Sequence, residues 1–137
     1  MTPKKRVMII EDDPDTIELL GVILELRGYE PIPAYGGQAG LQKLEEGPVD
    51  LILLDLMMDD IDGWTVLGTI KSDEALKAIP VIILSVKHQL EDLGRAKAHA
   101  GQFVGYMVKP FNMRALLAKI ADVLGDLPDS SSAINNP

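Results

Sequence analysis

The chain has no cysteine, which excludes a disulfide framework and a thiolate metal site. No apolar run approaches the roughly 20 residues needed to span a membrane as a helix. The basic start, Met1 to Arg6, is followed by only four apolar residues before Glu11, too few for the apolar core of a signal peptide. A cytoplasmic location is therefore expected. Positive charge is scarce: 13 lysines and arginines against 21 acidic residues leave a net charge of -8. Neutralising phosphates takes a basic face, and none is visible, so neither nucleic acid nor an anionic membrane surface is an expected partner. The sequence carries no internal repeat, no heptad pattern and no glycine-rich phosphate loop.

What is present is an ordinary globular composition, 47% hydrophobic and 25% charged over 137 residues. That length fits one domain able to bury about two thirds of its unfolded surface. Short apolar runs alternate with helical patterns five times. The strand-like runs are Val7–Ile10, Glu30–Ala34, Leu51–Leu54, Val81–Leu84 and Gly105–Val108. Each of the stronger ones is a short apolar stretch bounded by turn residues, the pattern of a buried strand. A helix after the first strand is expected to start with Asp13 at the N-cap and Pro14 in the first turn, and to stop at Gly28. Further helices are expected over Gln38–Glu46, Trp64–Lys71, Leu90–His99 and Met113–Leu124, the last capped by Asn112. This alternation implies right-handed crossovers and a parallel sheet covered on both faces, an α/β fold. From Asp126 the composition changes to DLPDSSSAINNP, too polar to order itself. A domain over 5–125 and a flexible tail or linker over 126–137 are the expected organisation.

Three strand ends carry charge. Glu11 and Asp12 follow the first run, Asp55 the third, and Lys109-Pro110 the fifth. In open α/β sheets ligands sit beyond the carboxyl ends of the strands, where the winding direction reverses. Two carboxylates about 4 Å apart repel by roughly 4 kcal/mol at an effective dielectric of 20. Gathered at one edge, three need a cation. Few carboxylates in an open site suit Mg²⁺ better than Ca²⁺.

The segments VMIIEDDPDT, DLILLDLMMDDIDGWTVL, IPVIILSV and YMVKPF, in this order and spacing, resemble the receiver domain of two-component response regulators. The resemblance covers about Lys5 to Leu124. It implies a doubly wound, flavodoxin-like sheet of five parallel strands in the order 2-1-3-4-5 with five flanking helices. It also implies a phosphorylation-controlled signalling switch and not a metabolic enzyme. Asp55 matches the phosphoacceptor. Asp12 matches the direct Mg²⁺ ligand, Glu11 a ligand through water, and the backbone carbonyl of Met57 a further ligand. Ser85 and Lys109 match the groups that bind the phosphoryl oxygens, with a cis bond from Lys109 to Pro110. Ser85 and Tyr106 match the switch pair. The implied partners are a sensor histidine kinase or a histidine phosphotransfer protein. A downstream protein target is implied on the face of the fourth helix, fifth strand and fifth helix, and a second copy of the chain is a further candidate.

The sequence departs from the family at three places. Asp59 stands where proline is most frequent, Val86 where alanine or glycine is usual, and the stretch from Ser85 to Lys109 is about two residues longer than usual. Met57, Val86 and Lys87 occupy positions that tune dephosphorylation; neither Met57 nor Lys87 can orient an attacking water as an amide or carboxylate would, and the branched Val86 crowds the phosphoryl pocket, so a long-lived phosphoaspartate is expected. Trp64 and Met57-Met58 read as packing and loop-contact residues, Gly36-Gly37 and Gly63 as turns, and His88 and His99 as solvated surface residues. Two other functions compete. A Mg²⁺-dependent phosphohydrolase would need a second aspartate where Met57 stands. A domain that signals by binding alone would not need the complete acidic set.

Overall fold

The computed structural model describes residues 3–86, 90–110 and 112–126, with backbone alone for 90–93. The elements run β1 (Arg6–Glu11), α1 (Pro14–Leu26), β2 (Glu30–Tyr35), α2 (Gly37–Glu46), β3 (Leu51–Asp55), α3 (Gly63–Ser72), β4 (Val81–Ser85), α4 (Leu90–Ala98), β5 (Gly105–Val108) and α5 (Met113–Leu124). The five strands form one sheet in the order β2-β1-β3-β4-β5, and every pairing is parallel. The order and type match what the resemblance implied.

Why the central strands read as unbroken apolar runs follows from their position. Successive side chains point to opposite faces, and both faces of this sheet are covered. Met8, Ile10, Ile52, Leu54 and Ile83 pack with Leu44 of α2 and Trp64, Val66, Leu67 and Ile70 of α3. Their neighbours Val7, Ile9, Leu51, Leu53, Ile82 and Leu84 pack on the other side. There they meet Ile17, Leu20 and Leu24 of α1 and Leu116, Leu117 and Ile120 of α5. Each such aliphatic side chain contributes about 1.5–3 kcal/mol by leaving water. β2, with Pro31 and Pro33, is an edge strand, where missing N–H donors cost least.

Local signals set the ends of the helices. Asp13 sits at the N-cap of α1 with Pro14 in the first turn; its carboxylate takes the Thr16 hydroxyl at 2.6 Å instead of a backbone N–H. Asn112 Oδ1 accepts from the Ala115 N–H at 3.0 Å and caps α5. Gly28, just past α1, has φ +87°, a conformation that costs glycine little. Gly63 is not a turn residue but the first residue of α3. Its N–H donates to the Leu56 carbonyl at 3.0 Å, and this approach leaves no room for a side chain.

At the amino ends of the strands a clasp closes the domain. Lys5 Nζ donates to the Leu124 carbonyl at 2.5 Å and to Asp126 Oδ1 at 2.8 Å. The Tyr29 hydroxyl donates to Asp126 Oδ2 at 2.9 Å. Asp126 is thus part of the folded domain, while the rest of the expected tail, 127–137, lies outside the described residues.

Candidate functional site

Strand register brings the charged residues together. Ile10 pairs with Leu54, Asp55 with Leu84, and Ser85 with Val108. Glu11 and Asp55 therefore finish level at the carboxyl edge, with Asp12 and Ser85 one residue further along and Lys109 two. Glu11, Asp12 and Asp55 each offer a carboxylate oxygen within 4.8 Å of the others. Asp55 and Ser85 are the last residues of their strands, both buried, as is Glu11.

Lys109 is the cation that balances this edge. Its Nζ donates to Glu11 Oε1 at 2.5 Å and lies 3.7 Å from Asp55 Oδ1. The peptide from Lys109 to Pro110 is cis, and the Lys109 N–H donates to the Ser85 carbonyl at 2.5 Å. The other Glu11 oxygen accepts from the N–H groups of Asp12 and Asp13, at 3.0 and 3.3 Å. Asp55 Oδ1 is buried without a hydrogen-bond partner. A buried acceptor left unmade costs about 1–3 kcal/mol, so this oxygen is where a ligand gains most.

Burial, then the adjoining Glu11 carboxylate, push the Asp55 carboxyl up to about 7, against the pull of Lys109 and the Met57 N–H. In the cation-free protein the fold thus favours the protonated acid. That favourable contribution is complete below about pH 4 and is lost as pH rises towards 7. With EDTA present, unfolding free energy is expected to fall by about 1–3 kcal/mol between about pH 5 and about pH 8. Urea denaturation would measure it, with Asp55→Asn as reference. An equal fall in that variant would assign the effect to other groups.

The loop between β3 and α3 is anchored at several points. The Asp59 N–H donates to Asp12 Oδ2 at 3.0 Å. The Asp60 carboxylate accepts from the N–H groups of Gly37 and Gln38, at 3.0 and 2.9 Å, and so caps α2 from outside that helix. Asp62 caps α3 through the Trp64 N–H at 3.1 Å and pairs with Arg95 of α4 at 2.7 Å. The switch candidate Tyr106 is half-buried in an aromatic group, with ring centroids 6.5 Å from Trp64 and 6.0 Å from Phe103. Trp64 is buried, as its packing role implies. His99 departs from its expected place in solvent: it is half-buried and stacks on Trp64 at 5.1 Å, with Nδ1 2.7 Å from Gln102 Oε1. Met57 and Val86 are exposed at the rim; Lys87 and His88 lie outside the described residues.

Residues 7–121 match the family model described as response regulator receiver domain. The chain belongs to this family. Among curated relatives, the receiver is 34% identical over 119 residues to the DNA-binding dual master transcriptional regulator RpaA of Synechocystis sp.. That match covers 87% of this chain and 48% of the relative. It is 36% identical over 118 residues to the response regulator GtcR of Aneurinibacillus migulanus, covering 85% and 46%. The receiver thus spans about half the length of these relatives. Among solved structures it is similar to the Vibrio cholerae chemotaxis protein CheY4, with a TM-score of 0.80 at 25% identity, covering 89% of this chain and 100% of that one. The receiver is accordingly a module of two-component signalling. Among its described residues no helix is long and apolar enough to cross a membrane.

The acidic set fits a hard divalent cation. Its donors are all oxygen, and one of them, Asp55 Oδ1, is buried and lacks a hydrogen bond. Nothing in the sequence announced the Asp59, Asp60 and Asp62 contacts. Backbone donors leave no residue-type signature, and partners 22 to 47 positions apart share no pattern.

Proposed function

We propose that Asp55 is the phosphoacceptor of this receiver, taking a phosphoryl group from a phosphohistidine of a sensor histidine kinase or a histidine phosphotransfer protein. A carboxylate oxygen of Asp55 forms the new bond to phosphorus as the phosphorus–nitrogen bond breaks. The leaving imidazole keeps the electron pair and takes a proton from water. Mg²⁺ would be held by Asp12, Asp55, the Met57 carbonyl and, through water, Glu11; it supplies positive charge for the phosphoryl oxygens. The chain's own share is placement and charge balance, the main demands of phosphoryl transfer. The observation that carries this reading is the buried, hydrogen-bond-free Asp55 Oδ1, 3.7 Å from Lys109 at the acidic edge.

Phosphorylation adds roughly one negative charge and new acceptor oxygens. Lys109, which in the unphosphorylated chain donates to Glu11, then has a stronger partner. The Ser85 hydroxyl moves towards the phosphoryl group, and Tyr106 shifts inward within the aromatic group it shares with Trp64 and Phe103. The α4–β5–α5 face changes with them and presents itself to a downstream protein, with a coupling of about 1–3 kcal/mol. Slow loss of the phosphoryl group accords with Met57, Val86 and Lys87, none of which orients water. A cytoplasmic setting suits such a donor.

NMR spectra with and without a beryllofluoride mimic test the switch. Amide shifts are expected at the carboxyl edge and along α4, β5 and α5. Shifts confined to residues around Asp55 would remove the switch and leave only ligand binding.

A further inference from the structure

We propose that the backbone N–H of Asp59 is a positioning group for the divalent cation, tying Asp12 to the loop that carries Met57 before any cation arrives. The inference rests on the cation site proposed above and adds a group to it. Asp12 sits just beyond β1, and Met57 lies two residues past β3; a cation shared by both must hold two separate segments of chain at a fixed spacing. The Asp59 N–H, 3.0 Å from Asp12 Oδ2, already joins them. One residue on, the Asp60 carboxylate grips the Gly37 and Gln38 N–H groups, so the loop is held on its far side as well. A loop ordered in advance loses less conformational freedom on binding, and affinity rises accordingly.

This tie depends on a particular feature of the sequence. Proline at this position would have no N–H to donate. Asp59 also brings an exposed carboxylate, whose attraction for a cation is long-ranged and screened by salt. Donor and charge can therefore be separated by substitution.

The test uses the whole chain. Mg²⁺ binding is followed by calorimetry and Mn²⁺ binding by electron paramagnetic resonance, for wild type, Asp59→Ala, Asp59→Asn and Asp59→Pro, at low salt and in about 0.5 M KCl. Alanine and asparagine keep the N–H. They are expected to weaken binding by about twofold to threefold at low salt and to match wild type in high salt. Proline is expected to weaken binding by about fivefold or more in both. In that variant the Gly37 and Gln38 amide signals should stay in place, because the Asp60 bonds do not involve residue 59. Equal affinities for the proline and alanine variants in high salt would overturn the proposal. A second measurement does not depend on the proline variant folding. The wild-type Asp59 amide should be protected from exchange and should lose that protection in Asp12→Ala; an unprotected wild-type amide also overturns it. If wild type bound neither ion, the cation site itself would fall, and this inference with it.

Discussion

Asp55→Asn is expected to take up no phosphoryl group from acetyl phosphate and Mg²⁺ under conditions that label the wild-type chain. Intact-mass measurement would show one added phosphoryl group in wild type and none in the variant. The amide has nearly the shape of the carboxylate and leaves the packing around it unchanged, but its oxygen is no nucleophile towards phosphorus. Replacement should also relieve the acidic edge. Asp55 is buried, lies beside Glu11, and has its carboxyl pushed up to about 7. Its charged form therefore costs stability above that pH. The variant without cation is expected to be more stable than wild type by about 1–3 kcal/mol near pH 8, by urea denaturation. A chain that unfolds more easily yet cannot be labelled would point to a structural role. Labelling that persists in the variant would move the acceptor to another carboxylate.

A single methyl group on Gly63 is expected to cost about 3 kcal/mol or more. A Cβ built at this position meets the Asp55 carbonyl oxygen at 2.4 Å and the Leu56 Cα at 2.6 Å. Both are backbone atoms at the end of β3 and just beyond it, so neither can rotate away as a side-chain tip would. Either α3 moves off the sheet or the end of β3 shifts. Thermal unfolding of Gly63→Ala should drop by roughly 10 °C, and the rate of labelling at Asp55 should fall with it. Gly68, in the same helix, is the control. Nothing lies within 4 Å of its added Cβ, and alanine there should be neutral or stabilising by up to about 1 kcal/mol. Equal behaviour of the two variants would mean that helix propensity, not close approach, governs α3.

These two glycines show where sequence reading stops. Gly63 and Gly68 are five residues apart, and only the neighbours that the fold supplies distinguish them. The strands were legible because a sheet buried on both faces demands continuous apolar runs, and Leu51–Leu54 and Val81–Leu84 are such runs, short and bounded by turn residues. The charged positions were legible because they close the apolar runs at the carboxyl ends of the strands, where ligand sites of open α/β sheets lie. The strand order was not read from the residues; it came with the resemblance. His99 was misjudged because a polar residue in a helical pattern normally faces water. Here Trp64 of α3 offers it an aromatic face, and that pairing spans 35 positions to the turn just past α4. Asp60 carries no signature of its own in the sequence, yet it supplies the cap that Gly36 and Gly37, without side chains, cannot give α2.

The clasp of Lys5, Tyr29 and Asp126 gives the domain two poles of different character. Polypeptide entering before β1 and leaving after α5 is gathered at one pole, and the acidic cluster lies at the other. The length of a five-residue strand, roughly 17 Å, separates them. A bulky neighbour fused at the gathered pole would not cover the acidic cluster, so the module can be carried on a larger assembly with that end unshaded.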